Sequence, residues 1–240
     1  MNGFIDIHTH ILPGVDDGAE NMQEACQMVR MARQDGTKVL FLTPHYRGDF
    51  GHYSPQRLQE VFSQLQEQVA EEMPDMQLYL GTEIRCGAEV PEKLLQGSIL
   101  PMGGSNFVLL EFGTQAIKSQ ILMGVTETLH CGFTPIIAHA ERCDAFYTFP
   151  TLIDEVRDMG GCIQVNADSI MGVHGFTIKR FSHKLLKGQK VHFVATDSHH
   201  SQSRPPLLNK CFLRVCKKYG ETYAKRVFYE NARSLMKKES

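Results

Sequence analysis

The sequence predicts an α/β fold of parallel β-α units, arranged as a closed or nearly closed barrel. Short apolar segments alternate along the chain with longer amphipathic ones, as strands alternate with crossover helices. The Gly-rich fingerprint of a dinucleotide site is absent after the first apolar segment, and an open doubly wound sheet is the alternative arrangement. No internal repeat or Pro/Gly/Ser-rich linker interrupts the sequence, so residues 1–240 are predicted to form one domain.

Seven apolar segments are predicted to be strands. Each has five to seven residues, is apolar on both faces and is bounded by Gly, Pro or polar residues, as buried parallel strands are. They span residues 3–8, 38–44, 76–81, 106–112, 134–139, 162–166 and 191–197.

The amphipathic segments between the strands are predicted to be helices. In residues 19–35, Met22, Cys26 and Val29 fall on one face, and Gly36 follows as a C-terminal stop. The other predicted helices span residues 55–73, 116–130, 149–159, 177–187, 206–219 and 221–237.

Composition excludes several classes of protein. With 25 basic and 27 acidic residues the net charge is −2, which argues against a protein that coats nucleic acid or adsorbs to membranes. The seven cysteines include no C-x-x-C pair and lie mostly in hydrophobic runs, as reduced thiols of a cytosolic protein do. No apolar run approaches the roughly 20 residues of a membrane span, and the first residues lack the pattern of a signal peptide. We therefore expect a cytoplasmic protein without membrane insertion.

Histidine is frequent, with 11 residues, and imidazole and carboxylate side chains recur where the predicted strands end. Six of the seven strands deliver a His, Asp or Glu to their carboxyl ends. In parallel α/β folds these ends share one face, where active sites lie. The candidates are His8, His10, Asp16 or Asp17, His45, Glu83, Glu111, His139, Asp197 and His199.

Taken singly, each candidate has an ordinary structural explanation. An H-x-H pair such as His8 and His10 is about as often a chance surface pair as a metal site. Glu111 follows four apolar residues, as a residue does where a strand emerges into water, and Asp16 and Asp17 beside a Gly are common turn residues. If these residues were unrelated to one another, as many of them would be expected at the amino ends of the strands as at the carboxyl ends. Their shared position at the carboxyl ends therefore favours one functional site.

The candidate ligands are too many for a single ion. Mixed imidazole and carboxylate ligands suit Mn²⁺, Fe²⁺ or Zn²⁺, and a structural zinc site is not expected without thiolates. Two or three ions held roughly 3.5–4 Å apart acidify a bridging water and neutralise charge on a transferred group. The pattern therefore predicts hydrolysis or phosphoryl transfer.

Other hydrolytic sites do not fit the sequence. None of the seven cysteines has Arg six positions later, as a cysteine-nucleophile tyrosine phosphatase requires. Neither G-x-S-x-G nor a P-loop occurs. Metal amidohydrolases also open with H-x-H, but they typically carry a modified lysine where this chain has Glu111.

Residues 6–19, DIHTHILPGVDDGA, resemble the opening motif of the PHP (polymerase and histidinol phosphatase) superfamily. More narrowly, they resemble the bacterial manganese-dependent protein-tyrosine phosphatases of capsule and exopolysaccharide operons. TPHY, GTEI, LLEF, AHAER and ATDSHH follow in order, so the resemblance covers the whole chain. It implies a distorted seven-stranded β/α, TIM-like barrel with a trinuclear centre of Mn²⁺, with Fe or Zn as alternatives.

The resemblance also implies roles for individual residues. Of the two adjacent aspartates it favours Asp17, because the family's ligand directly precedes the Gly. Arg142 and Arg204 match the positions that bind phosphate, although Arg204 lies in a loop-like segment. The implied metal ligands are His8, His10, Asp17, His45, Glu83, Glu111, His139, Asp197 and His199.

By the same resemblance, the substrate is a tyrosine-phosphorylated protein, the tail of a membrane-anchored bacterial autokinase that controls polysaccharide export. The alternative is a PHP phosphoesterase acting on a small metabolite such as histidinol phosphate or on nucleic-acid ends. The near-neutral charge weighs against nucleic acid. A non-catalytic metal-binding module would require a broken ligand set, whereas this set is whole.

Overall fold

Parallel strands form the centre of the protein, seen here in a computed structural model that describes residues 3–46 and 53–236. Within this part of the chain, nine strands form a three-stranded sheet of order β1-β2-β4 and a six-stranded sheet of order β3-β5-β6-β7-β8-β9. The strands are β1 (Phe4–Thr9), β2 (Thr37–Leu42), β3 (His45–Tyr46), β4 (Gln77–Leu80), β5 (Glu83–Arg85), β6 (Phe107–Glu111), β7 (Thr134–Ile137), β8 (Cys162–Asn166) and β9 (Phe193–Ala195).

Each of the seven predicted segments contains a strand, but the prediction of seven strands in one barrel is wrong. β2 and β4 are each followed, two residues later, by the short strands β3 and β5. Pro44 has no N–H for a sheet ladder, and its carbonyl accepts a hydrogen bond from Glu83 N at 3.1 Å. At this break the chain leaves the small sheet and enters the large one, which has six strands.

The parallel sheet curls until its first strand meets the segment that follows its last. Asp197 N donates to His8 O at 2.9 Å, and His10 N donates to Ser198 O at 2.8 Å. The buried Asp6 carboxylate accepts hydrogen bonds from Thr196 N at 3.0 Å and Thr196 Oγ1 at 2.5 Å. The predicted TIM-like α/β architecture is confirmed, and this seam unites the carboxyl ends of β1 and β9.

Ten α-helices are assigned within the described residues. The predicted helix 149–159 is observed as the shorter α6, and the separate helix α5 lies just before it. The predicted helix 221–237 is a short helix, a π-helical turn (Arg226–Glu230) and a 3₁₀ turn (Asn231–Leu235), with residue 237 outside the described residues. The α-helices are α1 (Met22–Asp35), α2 (Pro55–Glu72), α3 (Val90–Leu95), α4 (Lys118–His130), α5 (Asp144–Thr148), α6 (Leu152–Asp158), α7 (Ala167–Met171), α8 (Phe176–Lys187), α9 (Asn209–Tyr219) and α10 (Glu221–Lys225).

Local sequence explains where the first two helices begin and end. The Asn21 side chain accepts a hydrogen bond from Glu24 N at 3.0 Å, which caps α1. Ser54 caps α2 through Arg57 N at 3.2 Å. Gly36 ends α1 with a φ of 105°, a left-handed conformation that favours glycine.

The strands are apolar on both faces because they pack in two directions. Phe41 of β2 belongs to a buried cluster with Leu109 of β6 and Ile136 of β7. Its neighbours Leu40 and Leu42 pack instead with the apolar faces of α1 and α2. Burial of both strand faces holds the sheet rigid beneath the polar side chains at its carboxyl ends.

His192, just before β9, is expected to make stability depend on pH. Its Nδ1 accepts a hydrogen bond from Ile163 N at 2.9 Å, and burial with the charges of Arg157 and Arg226 lowers its pKa to about 4. The unfolded chain, with a His pKa near 6.5, therefore binds this proton first, and stability is lost as the pH falls from about 6.5 towards 4.

We expect the advantage of wild type over His192→Asn, in free energy of unfolding, to shrink by about 1 kcal/mol between pH 7.5 and pH 5, allowing for screening by solvent. Urea denaturation of both proteins in EDTA measures this difference without a contribution from metal release. An advantage that stays constant with pH would show that His192 does not titrate in this range.

Candidate metal centre

The nine predicted ligands lie at one face of the fold, in strands and in the loops that follow them. β1, β3, β5 and β6 carry four of them within the strand, and the loops that follow β1, β7 and β9 carry the rest. In each predicted ligand, a potential ligand atom lies within 4 Å of a potential ligand atom of another predicted ligand. The predicted residues are therefore brought together as a single cluster.

The cluster contains three overlapping groups that could each hold one metal ion. Within each group, the potential ligand atoms all lie within 4.8 Å of one another. His10 and His45 each belong to two groups. His139 lies outside these groups, but its Nε2 is 2.8 Å from Glu83 Oε1. The groups are His10, Asp17, His45 and His199; His8, His10 and Asp197; and His45, Glu83 and Glu111.

Glu83 lies at the centre of the cluster, where it is almost fully buried. Its Oε2 is 2.8 Å from His45 Nδ1 and 3.3 Å from the Nε2 atoms of His8 and His10. Even so, this oxygen accepts no well-formed hydrogen bond from a described residue. Buried polar atoms are ordinarily satisfied, so an acceptor facing three imidazoles in this way fits a bound cation. The donor set thus suits a divalent metal.

Electrostatics keep the buried carboxylates ionised. Burial alone would raise the pKa of Glu83, but the imidazoles of His8 and His10 hold it well below its usual range. The pKa of Asp197 is likewise well below its usual range, since His8, His10 and Arg204 outweigh burial. Burial opposes the charge of His10 as well, yet the neighbouring carboxylates raise its pKa well above normal. Without a cation the His10 imidazole retains its proton, so metal binding at His10 must release a proton.

Asp16 and Asp17 occupy different positions, which distinguishes their roles. Asp16 Oδ2 lies 2.7 Å from His10 Nδ1 and accepts a hydrogen bond from His45 N at 3.0 Å. Asp17 Oδ1 lies 3.3 Å from His45 Nε2 and 3.5 Å from His199 Nε2. Asp17 therefore faces a potential metal position, while Asp16 orients the ring of His10 as carboxylates behind metal-bound histidines do.

Sequence reasoning missed two polar residues on β8. Gln164 Oε1 accepts a hydrogen bond from His139 N at 2.7 Å and lies 3.2 Å from His8 Nδ1. Gln164 Nε2 donates to Asn166 Oδ1, and Asn166 Nδ2 donates to Asp197 Oδ2, both at 2.7 Å. Their signal was present in the sequence: two polar residues, two positions apart, in an otherwise apolar strand.

Two of the loop residues at the site adopt a backbone conformation that side chains rarely take. His139 has a φ of 30° and Asp197 a φ of 54°. Non-glycine residues in the left-handed region cost roughly 1–3 kcal/mol each and persist where their surroundings hold them in place. Here the hydrogen bonds from β8 reach both residues, at the backbone of His139 and the carboxylate of Asp197.

The two predicted phosphate-binding arginines converge on one carboxylate. Arg142 Nη1 lies 3.2 Å and Arg204 Nη2 2.6 Å from Asp197 Oδ2. The Arg142 side chain is 34% exposed and that of Arg204 32%. Both guanidinium groups are thus anchored at the cluster but reachable from solvent, as a fork that binds an incoming phosphate must be.

Comparison with known proteins identifies the family. A family model described as "Capsular polysaccharide synthesis, CpsB/CapC" matches residues 4–237. The chain belongs to this family. It is 31% identical to tyrosine-protein phosphatase CpsB of Streptococcus pneumoniae over 97% of this chain and 98% of that protein.

Solved structures agree with this assignment. A chain from the crystal structures of YwqE from Bacillus subtilis and CpsB from Streptococcus pneumoniae, described as unique metal-dependent tyrosine phosphatases, matches with a TM-score of 0.89 at 28% identity. The match covers 96% of this chain and 94% of that chain. A lactonase from Listeria monocytogenes matches with a TM-score of 0.67 over 99% of this chain and 95% of that chain. At 11% identity this match shows the fold alone.

The different positions of the two aspartates predict different effects on metal binding. Asp17→Ala removes a potential ligand and should lower the amount of Mn²⁺ bound per chain at saturation. Asp16→Ala removes the partner of His10 Nδ1 and of the backbone N–H of His45 but no potential ligand, so it should keep the stoichiometry while weakening affinity by about 10–100-fold. Elemental analysis and titration calorimetry separate the two effects. The exposed Asp158→Ala is the control, and equal losses of stoichiometry from both variants would contradict the assignment.

Proposed function

We propose that this chain is a metal-dependent phosphotyrosine-protein phosphatase, a phosphoric monoester hydrolase. One observation carries the proposal: two solvent-accessible arginines pair with Asp197, which belongs to one of three overlapping groups of potential metal ligands. Arginines recognise phosphate oxygens, and clustered imidazoles and carboxylates suit the metals of phosphoester hydrolysis. The relatives in the family are themselves described as tyrosine-protein phosphatases.

The three groups would hold two or three divalent ions. Bound ions supply Lewis acidity, lowering the pKa of a coordinated water and neutralising charge on a phosphoryl group. The chain presents imidazole Nε2 atoms for this purpose, because Asp16 and Gln164 engage Nδ1 of His10 and His8 and leave each Nε2 facing Glu83 and Asp197. Mn²⁺ is the proposed metal, and this ligand set also suits Fe or Zn.

Asp197 couples the phosphate-binding groups to the cluster. Its Oδ2 receives hydrogen bonds from Arg142, Arg204 and Asn166. Its Oδ1 faces the Nε2 atoms of His8 and His10 at 3.6 and 3.5 Å. A phosphate held by the two guanidinium groups is therefore positioned beside the cluster, with its equatorial charge stabilised by preorganised donors. Phosphotyrosine is a suitable monoester because its leaving group is a phenolate rather than an alkoxide.

We propose a tyrosine-phosphorylated protein as the substrate, the tail of a bacterial tyrosine autokinase of polysaccharide export. The proposal is supported by the family's description in capsular polysaccharide synthesis and by the similarity to CpsB. Among the helices of residues 3–46 and 53–236, none has the length and apolar character needed to cross a bilayer. We place the enzyme in the cytoplasm, where such a tail would carry its phosphate.

The first expected property is metal dependence. Treatment with a chelator should abolish hydrolysis of a phosphotyrosine peptide, and Mn²⁺ should restore it best among Mn²⁺, Fe²⁺, Zn²⁺ and Mg²⁺. Initial rates are measured alongside histidinol phosphate and an oligonucleotide with a terminal phosphate. Faster hydrolysis of either of these would favour the small-metabolite or nucleic-acid alternative, and a fully active protein free of metal would reject the proposal.

The second expected property separates the roles of His139 and Arg142. Arg142→Ala should leave metal content near wild type but reduce kcat/KM for a phosphotyrosine peptide by about 10²-fold, as loss of one transition-state donor does. His139→Ala should lower metal content and activity together. Arg30→Ala is the matched control, because Arg30 forms only an exposed ion pair with Glu72. A near-normal kcat/KM in Arg142→Ala would remove this residue from the site.

A further inference from the structure

Helices α8 and α9 concentrate positive charge in a chain whose net charge is only −2. Together they carry eight Lys or Arg residues and no Asp or Glu. The sequences are FTIKRFSHKLLK and NKCFLRVCKKY. An ordinary solvated helix face mixes both signs, so this asymmetry needs an explanation.

The two helices line a cavity of about 910 Å³. Six of their cations line it together with the apolar side chains of Met171, Phe176 and Leu213. We call this surface the basic groove, and its cations are Lys179, Arg180, Lys210, Arg214, Lys217 and Lys218. The side chains of Phe176 and Leu213 are 77% and 61% exposed, which is unusual for residues of this size.

The positive charge of the basic groove is not balanced from within the protein. None of its six cations forms an ion pair with any residue that the structure describes. His183, which also lines the groove, has its pKa lowered to about 4 by burial and by Lys218, Lys179 and Arg214. A bound anion would relieve this repulsion, and the apolar side chains of the groove would contact the non-polar atoms of the same ligand.

The basic groove is next to a second cavity, which Arg142 lines. Thr177 and Ile178, in the first turn of α8, share a cavity of about 430 Å³ with the phosphate-binding Arg142. The Lys179 side chain lies against Gly172 in the turn that follows α7, and a Cβ there would be 2.8 Å from Lys179 Cδ. If the phosphate of a substrate polypeptide lies at Arg142, the residues that flank its phosphotyrosine can therefore reach the groove. An extended polypeptide spans about 3.3 Å for each residue.

We propose that the basic groove binds an acidic segment of the phosphoprotein substrate, adjacent in sequence to the phosphotyrosine. The assignment rests on the proposed phosphatase function and names the class of substrate. Carboxylates or further phosphates of the segment pair with the six cations, and its apolar side chains contact Phe176 and Leu213. The cations line a cavity next to the one that Arg142 shares with the first turn of α8, so a polypeptide whose phosphate lies at Arg142 is the occupant that this placement favours.

The test uses the charge-neutralised variant Arg214→Gln/Lys217→Gln/Lys218→Gln. The probes are two fluorescein-labelled phosphotyrosine peptides, one flanked by four glutamates and one by four glutamines, together with p-nitrophenyl phosphate. Fluorescence anisotropy in EDTA gives the Kd for each peptide, and rates with Mn²⁺ give kcat and KM. We expect the variant to bind the glutamate peptide about tenfold more weakly and to raise its KM equally, with kcat and the turnover of p-nitrophenyl phosphate unchanged.

The matched control, Arg30→Gln/Lys225→Gln/Arg226→Gln, removes three exposed or partly exposed cations outside the basic groove and should bind both peptides as wild type does. If the groove variant binds the glutamate peptide as tightly as wild type, the proposal is wrong. Loss of binding to phosphatidylserine vesicles with unchanged peptide affinity would also overturn it and assign the face to a membrane. If the wild-type protein does not hydrolyse p-nitrophenyl phosphate, the proposed phosphatase function is wrong. The peptide affinities are measured without turnover, so this outcome can be distinguished from failure of the groove proposal.

Discussion

A buried carboxylate surrounded by imidazoles is the constraint on which the rest of the structure depends. Glu83 has almost no exposure, and four histidines, His8, His10, His45 and His139, have a ring nitrogen within 3.3 Å of its oxygens. A buried negative charge is tolerated only when positive charge balances it, whether from protons or from metal ions. The curled parallel sheet brings these side chains from separate strands to one point, so the charge balance depends on the fold.

The same constraint explains the residues behind the cluster. Gln164, Asn166 and Asp16 do not face a potential metal position directly, yet each orients a residue that does. The arginines contribute to the same charge balance, because their positive charges offset the negative charge of Asp197 before a phosphate binds. The centre is therefore a network of paired polar atoms, and Glu83 Oε2, which accepts no well-formed hydrogen bond from a described residue, is an atom where a cation fits.

Much of this arrangement could be predicted from the sequence, and the rest depended on contacts between distant segments. Strand positions were predictable because burial on both faces leaves continuous apolar runs, and the ligands because they follow those runs. The division into two sheets at Pro44 was not, since it depends on which neighbour each strand pairs with. In the sequence Asp16 and Asp17 are both ordinary turn residues. Their roles are distinguished only by their positions relative to His10 and His199 in the folded protein. A net charge of −2 likewise concealed the basic groove, because a sum over the chain discards the position of each charge.

The seam between the two ends of the sheet has a consequence for how the protein is made. The hydrogen bond between Asp6 and Thr196 spans 190 residues of chain. On a ribosome, β1 with His8 and His10 emerges long before Asp197 and His199 exist. His8 and His10 are therefore without their final partners during most of translation. Contacts between residues so distant in sequence form late and slowly. Nascent chains would expose an incomplete set of metal-binding side chains, so loading of the full complement of ions belongs after synthesis of residue 199 rather than during it.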